Sequence, residues 1–331
     1  MELSIIIVNY NSLDLLINCL NSIFKQPSRI ISEIIVVDNF SMDDSKNKIL
    51  EQFPQMKWIQ MEYNSGFARA NNEGIRKSVA ATVLLLNADT IIENNAIEHC
   101  YLLFAGSDNV ACGVQLLNPE GTPQISGNYV MKGGLNYLLP LPYLGTVFKS
   151  IASLFKIRKP NVPEAKGLVE VDWINGAFLM VKRSAIDTAG LLDEDFFLYA
   201  EEAEWCSRLQ RVGKLCIYGD IKIIHVQGET ANETFGSSGK GYKSLFDKKG
   251  LQIMLSNLVR IRKQFGLSWF FLIVCIYLFE IPVFFFGCMV LNVIGDTKYS
   301  FKEVKGYAFN MMRILGFLPR IVANKPFFYK T

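Results

Sequence analysis

The sequence predicts an α/β fold built on a mostly parallel central sheet, and three observations support this prediction. Short runs of β-branched and other apolar residues alternate with helical patterns through the first hundred residues. These runs have the length of strands and are separated by helical segments, as in βαβ units. Each run also ends in small or polar residues, and parallel sheets bind their ligands at the carboxyl ends of the strands. The fold class alone therefore predicts where a ligand site should lie.

The amino-terminal elements follow one another in a regular order. In the first helix, Leu16, Leu20 and Ile23 fall on one stripe, as a helix that covers a sheet requires. A single polar strand end is compatible with an ordinary turn or helix cap, but several that converge predict a ligand site. The predicted elements are strand 3–10, helix 12–25, strand 32–39, helix 45–53, strand 56–61, helix 66–79 and strand 82–87.

The regular alternation stops at residues 128–170. This stretch is rich in Gly, Pro, Leu and Tyr, and a loop of such length inside a compact domain is usually functional or disordered. Within it, the Leu- and Tyr-rich segment 135–148 is predicted to act as a lid. Strand and helix patterns return at 171–186, a helix begins near residue 200, and two strands follow at 214–219 and 221–228.

Composition narrows the classes of function. The 34 Lys and Arg nearly balance the 31 Asp and Glu, so nothing indicates a nucleic-acid partner. The seven cysteines include no Cys-x-x-Cys pair, which argues against a zinc or redox motif and favours a reducing compartment. No Gly-x-Gly-x-x-Gly follows the first strand, so a dinucleotide-dependent dehydrogenase is not favoured. A strand begins almost at once after Glu2, and we therefore expect a start in the cytoplasm without a leader peptide.

The carboxyl-terminal third predicts contact with a membrane. Residues 267–294 are almost wholly apolar apart from Glu280, which has Pro282 beside it. One crossing needs about 20 apolar residues, and basic residues on both flanks do not fit a simple span under the positive-inside rule. We therefore predict a hairpin, bent at Glu280 to Pro282, that dips into one leaflet; the alternative is a buried helical pair. The flanking basic residues are Arg260, Arg262, Lys263, Lys298, Lys302 and Lys305.

Residues 301–318 alternate apolar and basic side chains, which predicts an amphipathic helix lying on a membrane surface. We accordingly divide the chain into a domain at 1–250 and a helical membrane-association region at 251–331. The expected location is the cytoplasmic side of the cell membrane, where the protein would be peripheral or monotopic.

Seven sequence blocks combine apolar strand patterns with polar ends. The blocks are SIIIVNYNS (4–12), EIIVVDNFSMDDS (33–45), NSGFARANNEGI (64–75), LLLNADT (84–90), VDWINGAFLMVKRSAI (171–186), GLLDEDFFLYAEEAEWCSRLQRVG (190–213) and IIHVQGET (223–230). In this order and spacing they resemble glycosyltransferase family 2, and they look most like its rhamnosyltransferase branch. The resemblance covers about residues 3–230 and implies the GT-A fold of nucleotide-sugar transferases. It does not extend to the last third of the chain.

The resemblance also implies roles for individual residues. Asp89, in an Asn-x-Asp form of the family's Asp-x-Asp element, would hold Mn²⁺ or Mg²⁺, and His225 would complete the metal site. Glu202 occupies the position of the catalytic base; it replaces the family's Asp and is one methylene longer. Glu204 is expected to form a helix ion pair with Arg208. The implied donor-binding residues are Asn9, Tyr10, Asn11, Asp38, Asn39, Ser41, Asn64, Gly66, Phe67, Asn71 and Asn87.

The function implied is that of an inverting, metal-dependent glycosyltransferase. It would transfer a sugar, with dTDP-rhamnose the first choice of donor, to a lipid-linked saccharide in cell-surface polysaccharide assembly. A family 2 transferase that uses a UDP-sugar and a catalytically inactive, membrane-bound scaffold that binds nucleotide sugars are the alternatives. The joint presence of Asp38, Asp89, Glu202 and His225 argues against the scaffold. Whether the protein forms a homo-oligomer is left open.

Overall fold

The structure is a computed structural model that describes residues 1–30, 32–129, 135–156, 161–226, 235–237, 245–293 and 299–331. The chain divides into two compact units. The first comprises Met1–Val130, Pro160–Phe197 and Glu201–Thr230. The second comprises Met131–Lys159, Leu198–Ala200 and Ala231–Thr331, so residues 131–159 belong with the carboxyl-terminal helices.

The first unit begins with the predicted succession of strands and helices. The observed bounds lie within one or two residues of the predicted ones, and they end at the residue where the apolar pattern gives way to polar side chains. The elements are β1 (Leu3–Asn9), α1 (Leu13–Phe24), β2 (Ser32–Asp38), α2 (Ser45–Gln52), β3 (Lys57–Gln60), α3 (Gly66–Lys77), β4 (Thr82–Asn87), β5 (Thr90–Ile91), α4 (Ala96–Ala105) and β6 (Ala111–Leu117).

The later elements of this unit are mostly short. Residues 214–228 were predicted to hold two strands; the structure has one long strand in their place, with a shift of register between Tyr218 and Lys222. The remaining elements are β7 (Gly127–Asn128), β8 (Asn161–Val162), β9 (Leu168–Val171), β10 (Trp173–Ile174), β11 (Phe178–Lys182), α6 (Arg183–Ala189), α7 (Glu201–Leu209) and β12 (Leu215–His225).

The main sheet is mixed, with a parallel half. In the described part of the chain its strand order is β3-β2-β1-β4-β11-β6-β12-β5, and β9 also pairs with β12. The pairs among β3, β2, β1 and β4 are parallel, and so is the pair of β6 with β12. Strand β11 runs antiparallel to both β4 and β6. A smaller sheet has the order β10-β7-β8.

Helices cover both faces of the parallel strands, which explains why these strands are continuous apolar runs. On one face, Leu3, Ile5 and Ile7 of β1 join a core with buried residues of α1, α2 and α4. On the other face α3 approaches closely, because a Cβ at Gly74 would lie 2.5 Å from the side chain of Ile6. The sheet is therefore held in place from both sides, and its strand ends are left to carry polar groups.

The second unit is helical in its described residues. It contains a 3₁₀ turn (Leu135–Leu138), α5 (Leu144–Leu154), α8 (Lys248–Val293) and α9 (Phe301–Ala323). The stretch 128–170, which we predicted to be a long loop, thus contains a helix and short strands. Helix α9 includes the amphipathic segment predicted at 301–318 and continues past Pro319.

The predicted bend at Glu280 to Pro282 is wrong. Helix α8 runs through both residues, and its non-helical backbone lies instead at Gly266, with φ 85° and ψ −176°, a conformation that glycine adopts without steric cost. Helices α8 and α9 pack antiparallel, since the Phe285 ring contacts that of Phe301 and the Tyr307 hydroxyl donates to the carbonyl of Tyr277 at 2.9 Å.

Glu280 does not mark a bend in α8, as the sequence suggested, but binds the start of α5. Its side chain is fully buried, and its two carboxylate oxygens accept hydrogen bonds from the backbone N–H groups of Tyr143 (2.7 Å) and Leu144 (3.0 Å). These are amino-terminal N–H groups of α5, which no carbonyl within that helix can satisfy. A charged residue in an apolar helix therefore holds the start of another helix.

The second unit exposes much apolar surface. Among the described residues, α8 is the one helix long and apolar enough to cross a membrane, and 33% of its most apolar window is buried. Phe279, Phe286 and Val290 are more than half exposed, and with Tyr143 they line an open groove of about 620 Å³. A core helix of a soluble protein would bury most of such a window.

The basic flanks of α8 are not all available to a surface. Arg260 is 1% exposed and bonds Gln264 and the Tyr137 hydroxyl, so its expected role as a flanking surface charge is wrong. Arg262 donates to the carbonyl of Val322 at 3.0 Å. Lys302 and Lys305 are exposed, whereas Lys298 lies outside the described residues.

Candidate active site

Polar side chains converge at the carboxyl edge of the parallel strands. Asn9, the last residue of β1, pairs in register with Asp38, the last residue of β2. Asp38 in turn pairs with Gln60 at the end of β3, and Asn87 at the end of β4 pairs with Val8. The predicted donor edge is thus assembled by strand register alone, and it is the edge where such sheets bind ligands.

Asp38 is fixed by three donors. Its Oδ1 accepts from the Asn9 amide at 2.8 Å, and its Oδ2 accepts from the Ser41 backbone N–H at 2.9 Å and from Gln60 Nε2 at 2.6 Å. Ser41 is held in the same network, since its hydroxyl bonds Asn9 Nδ2 and the Asn11 backbone N–H. A carboxylate offers about four lone-pair sites, so one remains for a ligand donor.

Asn39 organises the entrance to α3. Its Oδ1 accepts from both the backbone N–H and the hydroxyl of Ser65 at 2.8 Å, and its Nδ2 donates to Asn64 Oδ1 at 3.1 Å. Gly66 has a φ of 77°, and a Cβ there would lie 2.1 Å from the carbonyl oxygen of Phe197. Glycine is required at this position because another segment of the protein passes so close.

Three other predicted donor residues have ordinary local contacts. Asn71 is buried and donates to the carbonyl of Phe67 in the preceding turn at 2.9 Å. The carbonyl of Tyr10 accepts from the Ser12 hydroxyl. Asn11 has a positive φ of 48°, and its Oδ1 accepts from the Met42 backbone N–H at 2.8 Å. These contacts shape the loops around the edge.

Asp89 and His225, predicted to share a metal, lie side by side. Their adjacency follows from the sheet, since His225 pairs with Thr90 and the backbone N–H of Val226 donates to the carbonyl of Asp89. His225 Nε2 lies 3.3 Å from Asp89 Oδ1 and 3.4 Å from Asn87 Nδ2. The other ring nitrogen, Nδ1, lies 2.9 Å from Gln124 Oε1.

The Asp89–His225 pair fits a cation that is coordinated partly by the protein and partly by a substrate. The described residues contain no group of three or more His, Cys, Asp or Glu placed to hold a metal ion. Mg²⁺ is usually held by one or two carboxylates together with substrate phosphates, so one carboxylate and one imidazole are sufficient protein ligands. Burial raises the pKa of the nearby Cys19 thiol to about 12, despite its hydrogen bond to Thr90, so this thiol is neutral.

Glu202 lies at the start of α7, next to the segment 175–177, which contacts the end of β4. Its side chain is buried, and a Cβ at Gly176 would lie 3.7 Å from Glu202 Cβ and 3.6 Å from the Phe67 ring. The neighbouring Ala177 accepts the backbone N–H of Asn87 at 3.1 Å. The segment 175–177 therefore connects the predicted base, one predicted donor residue and the end of β4.

The neighbouring carboxylate of α7 has a structural role, as predicted. Glu204 accepts from Arg208 Nε at 2.8 Å and from Arg208 Nη2 at 2.7 Å, in a two-pronged ion pair one helical turn long. The same guanidinium also donates to the carbonyls of Ala189 and Leu191. Arg208 thereby fastens α7 to the end of α6.

Two glutamines of the site were missed in the sequence. Gln60 holds Asp38, and Gln124 holds His225. Gln60 ends a strand, so the rule that found Asn9 and Asn87 would have found it. Gln124 lies in the turn after β6, where no local pattern distinguishes it from an ordinary turn residue.

Comparison with known proteins supports the resemblance to glycosyltransferase family 2. Residues 4–157 match the model of glycosyl transferase family 2. The low-salt glycan biosynthesis hexosyltransferase Agl10 of Haloferax volcanii is 31% identical over 215 residues, which cover 63% of this chain and 62% of that protein. The dTDP-rhamnosyl transferase RfbF of Shigella flexneri is 23% identical over 235 residues, which cover 70% of this chain and 71% of that protein.

A third relative, the N-acetylglucosaminyl-diphospho-decaprenol L-rhamnosyltransferase of Mycobacterium tuberculosis, is 24% identical over 210 residues, or 58% of this chain and 66% of that protein. The alignment with the Haloferax hexosyltransferase covers less than two thirds of the length of that protein.

A solved structure shares the fold. The crystal structure of GalNAc-T7 with UDP, GalNAc and Mn²⁺ superposes with a TM-score of 0.55 at 15% identity, over 79% of this chain and 48% of that one. The fold class predicted from the sequence, an α/β domain of the GT-A type, is confirmed. The chain therefore resembles glycosyltransferase family 2 in its fold and in the residues that the family's model matches, 4–157.

Proposed function

We propose that this protein is an inverting glycosyltransferase that transfers a sugar, with rhamnose from dTDP-rhamnose the first choice, to a hydroxyl of a lipid-linked saccharide. The observation that carries the proposal is the placement of Asp89 beside His225 at the same sheet edge as Asn9, Asp38 and Asn87. Two relatives support rhamnose, since their names denote rhamnosyl transfer. The name of the mycobacterial relative also denotes a diphospho-decaprenol acceptor.

The strand ends would bind the nucleotide. Asp38 keeps one lone-pair direction after its three hydrogen bonds, and a carboxylate can accept from the N3–H of a pyrimidine base. Asn39 and Asn64, whose side chains are hydrogen-bonded to each other, would form the neighbouring wall of the ribose site. Because these side chains are already held by one another, little ordering would be needed when the donor binds.

Asp89 and His225 would hold a divalent cation together with the donor diphosphate. Such a cation, when bound, neutralises the charge that develops on the leaving diphosphate. Asp89 would supply an oxygen ligand and His225 an imidazole nitrogen, and these two atoms lie 3.3 Å apart. The residue choice is compatible with Mn²⁺ or Mg²⁺.

Glu202 would act as the general base. Its carboxylate takes the proton of the acceptor hydroxyl, and the oxygen then forms a bond to the anomeric carbon of the donor sugar. The bond from that carbon to the diphosphate oxygen breaks on the opposite face, so the configuration is inverted. A positioned base of this kind contributes about 10²- to 10⁴-fold to the rate.

Retention at the membrane would bring the acceptor within reach. The exposed apolar faces of α8 and α9 and the exposed Lys302 and Lys305 support a peripheral or monotopic attachment. Anionic head groups attract each nearby basic residue by about 1 kcal/mol. The attachment we propose is at the cytoplasmic face of the membrane.

Donor-dependent stabilisation tests the proposal. The protein is heated with dTDP-rhamnose or one of several UDP-sugars, with and without Mn²⁺, and the unfolding midpoint is measured. A true donor at 100 times its dissociation constant should stabilise the fold by about 2.7 kcal/mol in the presence of metal. Asp89→Ala should lose the metal-dependent part of this effect. Equal calorimetric affinity of wild type and Asp89→Ala for dTDP with Mn²⁺ would contradict the metal site.

A second measurement separates a transferase from an inactive scaffold. The best donor is incubated with a polyprenyl-diphosphate-linked saccharide, and release of the nucleoside diphosphate is followed together with the mass of the product. Donor binding without transfer to any such acceptor would favour the scaffold.

A further inference from the structure

The hydrogen bonds of Gln124 determine which nitrogen of His225 can face a metal. Gln124 is 7% exposed and lies in the turn between β6 and β7. Its side-chain amide makes three contacts in the structure. Nε2 lies 2.6 Å from the carbonyl oxygen of His225 and 2.8 Å from Asn118 Oδ1, and Oε1 lies 2.9 Å from His225 Nδ1.

The two contacts of Nε2 fix the orientation of the amide. A backbone carbonyl can only accept, so the atom of Gln124 that faces the His225 carbonyl must be the NH₂ group. Asn118 is itself oriented, because its Nδ2 donates to Thr122 Oγ1 at 2.7 Å and so turns Oδ1 towards Gln124. With both N–H groups used, the oxygen of Gln124 is the atom that faces the imidazole.

The orientation of the amide decides the tautomer of the ring. Gln124 Oε1 is an acceptor only, so His225 Nδ1 must carry the proton and donate it. In a neutral ring the lone pair then lies on Nε2, which is the nitrogen that faces Asp89 and accepts from Asn87 Nδ2. Metal-binding histidines commonly have such a partner on the second nitrogen, which fixes ring orientation and increases ligand basicity.

We infer that Gln124 is a positioning residue that holds His225 in the Nδ1–H tautomer and so presents Nε2 to a divalent cation shared with Asp89. The inference rests on the metal site of the proposed function. Gln124 also binds the backbone carbonyl of the same histidine, so it fixes the main chain and the ring together. The other histidine of the chain, His99, has no part in this network.

Direct measurement of Mn²⁺ affinity tests this role. Free Mn²⁺ is titrated by electron paramagnetic resonance into the full-length protein saturated with dTDP or UDP. Gln124→Met keeps the length of the side chain and removes the acceptor oxygen, and we expect Mn²⁺ affinity to fall by about 10- to 100-fold. Gln124→Glu keeps an acceptor for Nδ1–H but places a second oxygen against the His225 carbonyl, to which Nε2 donates in the wild type, so its Mn²⁺ affinity should lie between those of the wild type and Gln124→Met.

Gln252→Met is the matched control. Gln252 is a fully buried glutamine of α8 whose amide bonds the Ser256 hydroxyl, the carbonyl of Tyr329 and the backbone N–H of Thr331. It removes a buried amide of the same size without touching His225, and its Mn²⁺ affinity should not change. Unfolding midpoints of both variants show whether a loss of affinity is a loss of fold.

The tautomer gives a readout that needs no metal. The chain has two histidines, so ¹⁵N labelling of histidine gives two rings, and His99→Gln assigns them. At a pH where the His225 ring is neutral, the wild type should show a protonated Nδ1, and Gln124→Met should lose this preference.

The outcomes separate the two proposals. Wild-type affinity in Gln124→Met, or an equal loss in Gln252→Met, would overturn the role of Gln124 while the metal site stands. A protonated Nε2 in the neutral wild-type ring would also overturn it. A wild type that binds no Mn²⁺ with either nucleotide would overturn the metal site of the proposed function, and the inference with it.

Discussion

Individual residues of the candidate site are held in place by several contacts. The Asp38 and Asn39 side chains each accept at least two hydrogen bonds, and the His225 ring contacts Gln124 and Asn87. Groups that bind a donor benefit from being preorganised. These contacts therefore agree with the donor-binding and metal-binding roles proposed for the three residues.

Replacement of Glu202 should separate binding from turnover. Glu202→Gln keeps the shape of the side chain and removes its ability to take a proton, so we expect an unchanged donor affinity and a rate lower by about 10²-fold or more. Donor affinity is measured by calorimetry and turnover by nucleotide release. Glu204→Gln is the control, because Glu204 is engaged with Arg208. If Glu202→Gln retains nearly the wild-type rate, the base lies elsewhere, with Glu201 the first alternative.

Gly66 should tolerate no side chain. Gly66→Ala adds a Cβ 2.1 Å from the carbonyl oxygen of Phe197 at a φ of 77°, and steric overlap together with backbone strain should cost about 3 kcal/mol or more. Gly121→Ala is the matched control, since Gly121 has a φ of 83° with nothing within 4 Å, and it should cost about 1 kcal/mol. Urea unfolding measures both. Equal losses of unfolding free energy in the two variants would mean that the close approach to Phe197 does not contribute to the cost of Gly66→Ala.

At the scale of elements, the sequence predicted best where local pattern and tertiary packing coincide. Strands β1, β2 and β4 are buried on both faces, so their apolar runs leave little freedom in bounds or register. The polar strand ends followed from the same pattern. The metal pair was placed by resemblance, and the structure brings it together through the pairing of β5 with β12.

The failures have a common physical cause. Pro282 lies within α8 although proline removes one backbone hydrogen bond, because packing against α9 outweighs the local preference. Gln124 and Glu280 act on residues about a hundred or more positions away, His225, Tyr143 and Leu144. A hydrophobic pattern extends over only a few helical turns, so it does not predict contacts between residues that lie so far apart in the chain. Composition does not predict them either.

Glu280 should control the stability of α5. Glu280→Ala leaves the partly buried N–H groups of Tyr143 and Leu144 without their acceptor, which should cost about 1 kcal/mol for each donor, at the low end of the range for unsatisfied groups. We expect faster amide hydrogen exchange throughout α5. Glu303→Ala is the comparison, because Glu303 caps its own helix α9 at an exposed end and its loss should affect the first turn of α9 alone. Unchanged exchange in α5 would show that other contacts hold this helix.

At the scale of the whole molecule, the proposed attachment to a membrane depends on which apolar surface is exposed. Helices α8 and α9 pack against each other along one side of each helix. On that side they form the buried helical pair that was the alternative to a membrane hairpin. Their other side carries Phe279, Phe286 and Val290, each more than half exposed. Exposed apolar patches of this kind mark membrane or protein contacts. The basic residues Lys302 and Lys305 near this segment favour an anionic bilayer.

Full-length variants test the attachment better than truncation. A cut near residue 255 would remove Glu280 and Tyr277, which hold residues 137–144, and would therefore damage the second unit as a whole. Substitution of exposed side chains leaves these contacts intact. The test variant carries Phe279→Gln, Phe286→Gln and Val290→Gln together. The matched control carries Val79→Gln, Leu102→Gln and Leu103→Gln, three apolar residues of similar exposure in the first unit.

Vesicle binding should distinguish the two triple variants. Burial of each large apolar side chain is worth about 1.5 kcal/mol or more, so the loss of three should weaken binding to phosphatidylglycerol vesicles by about 10³-fold, beyond detection by sedimentation. The control variant should bind like the wild type, and both should keep their affinity for the donor nucleotide. Transfer to a long-chain lipid-linked acceptor should fall in the test variant, while transfer to a water-soluble, short-chain acceptor should persist. Wild-type binding by the test variant, or no vesicle binding by the wild type, would mean that α8 and α9 serve another contact.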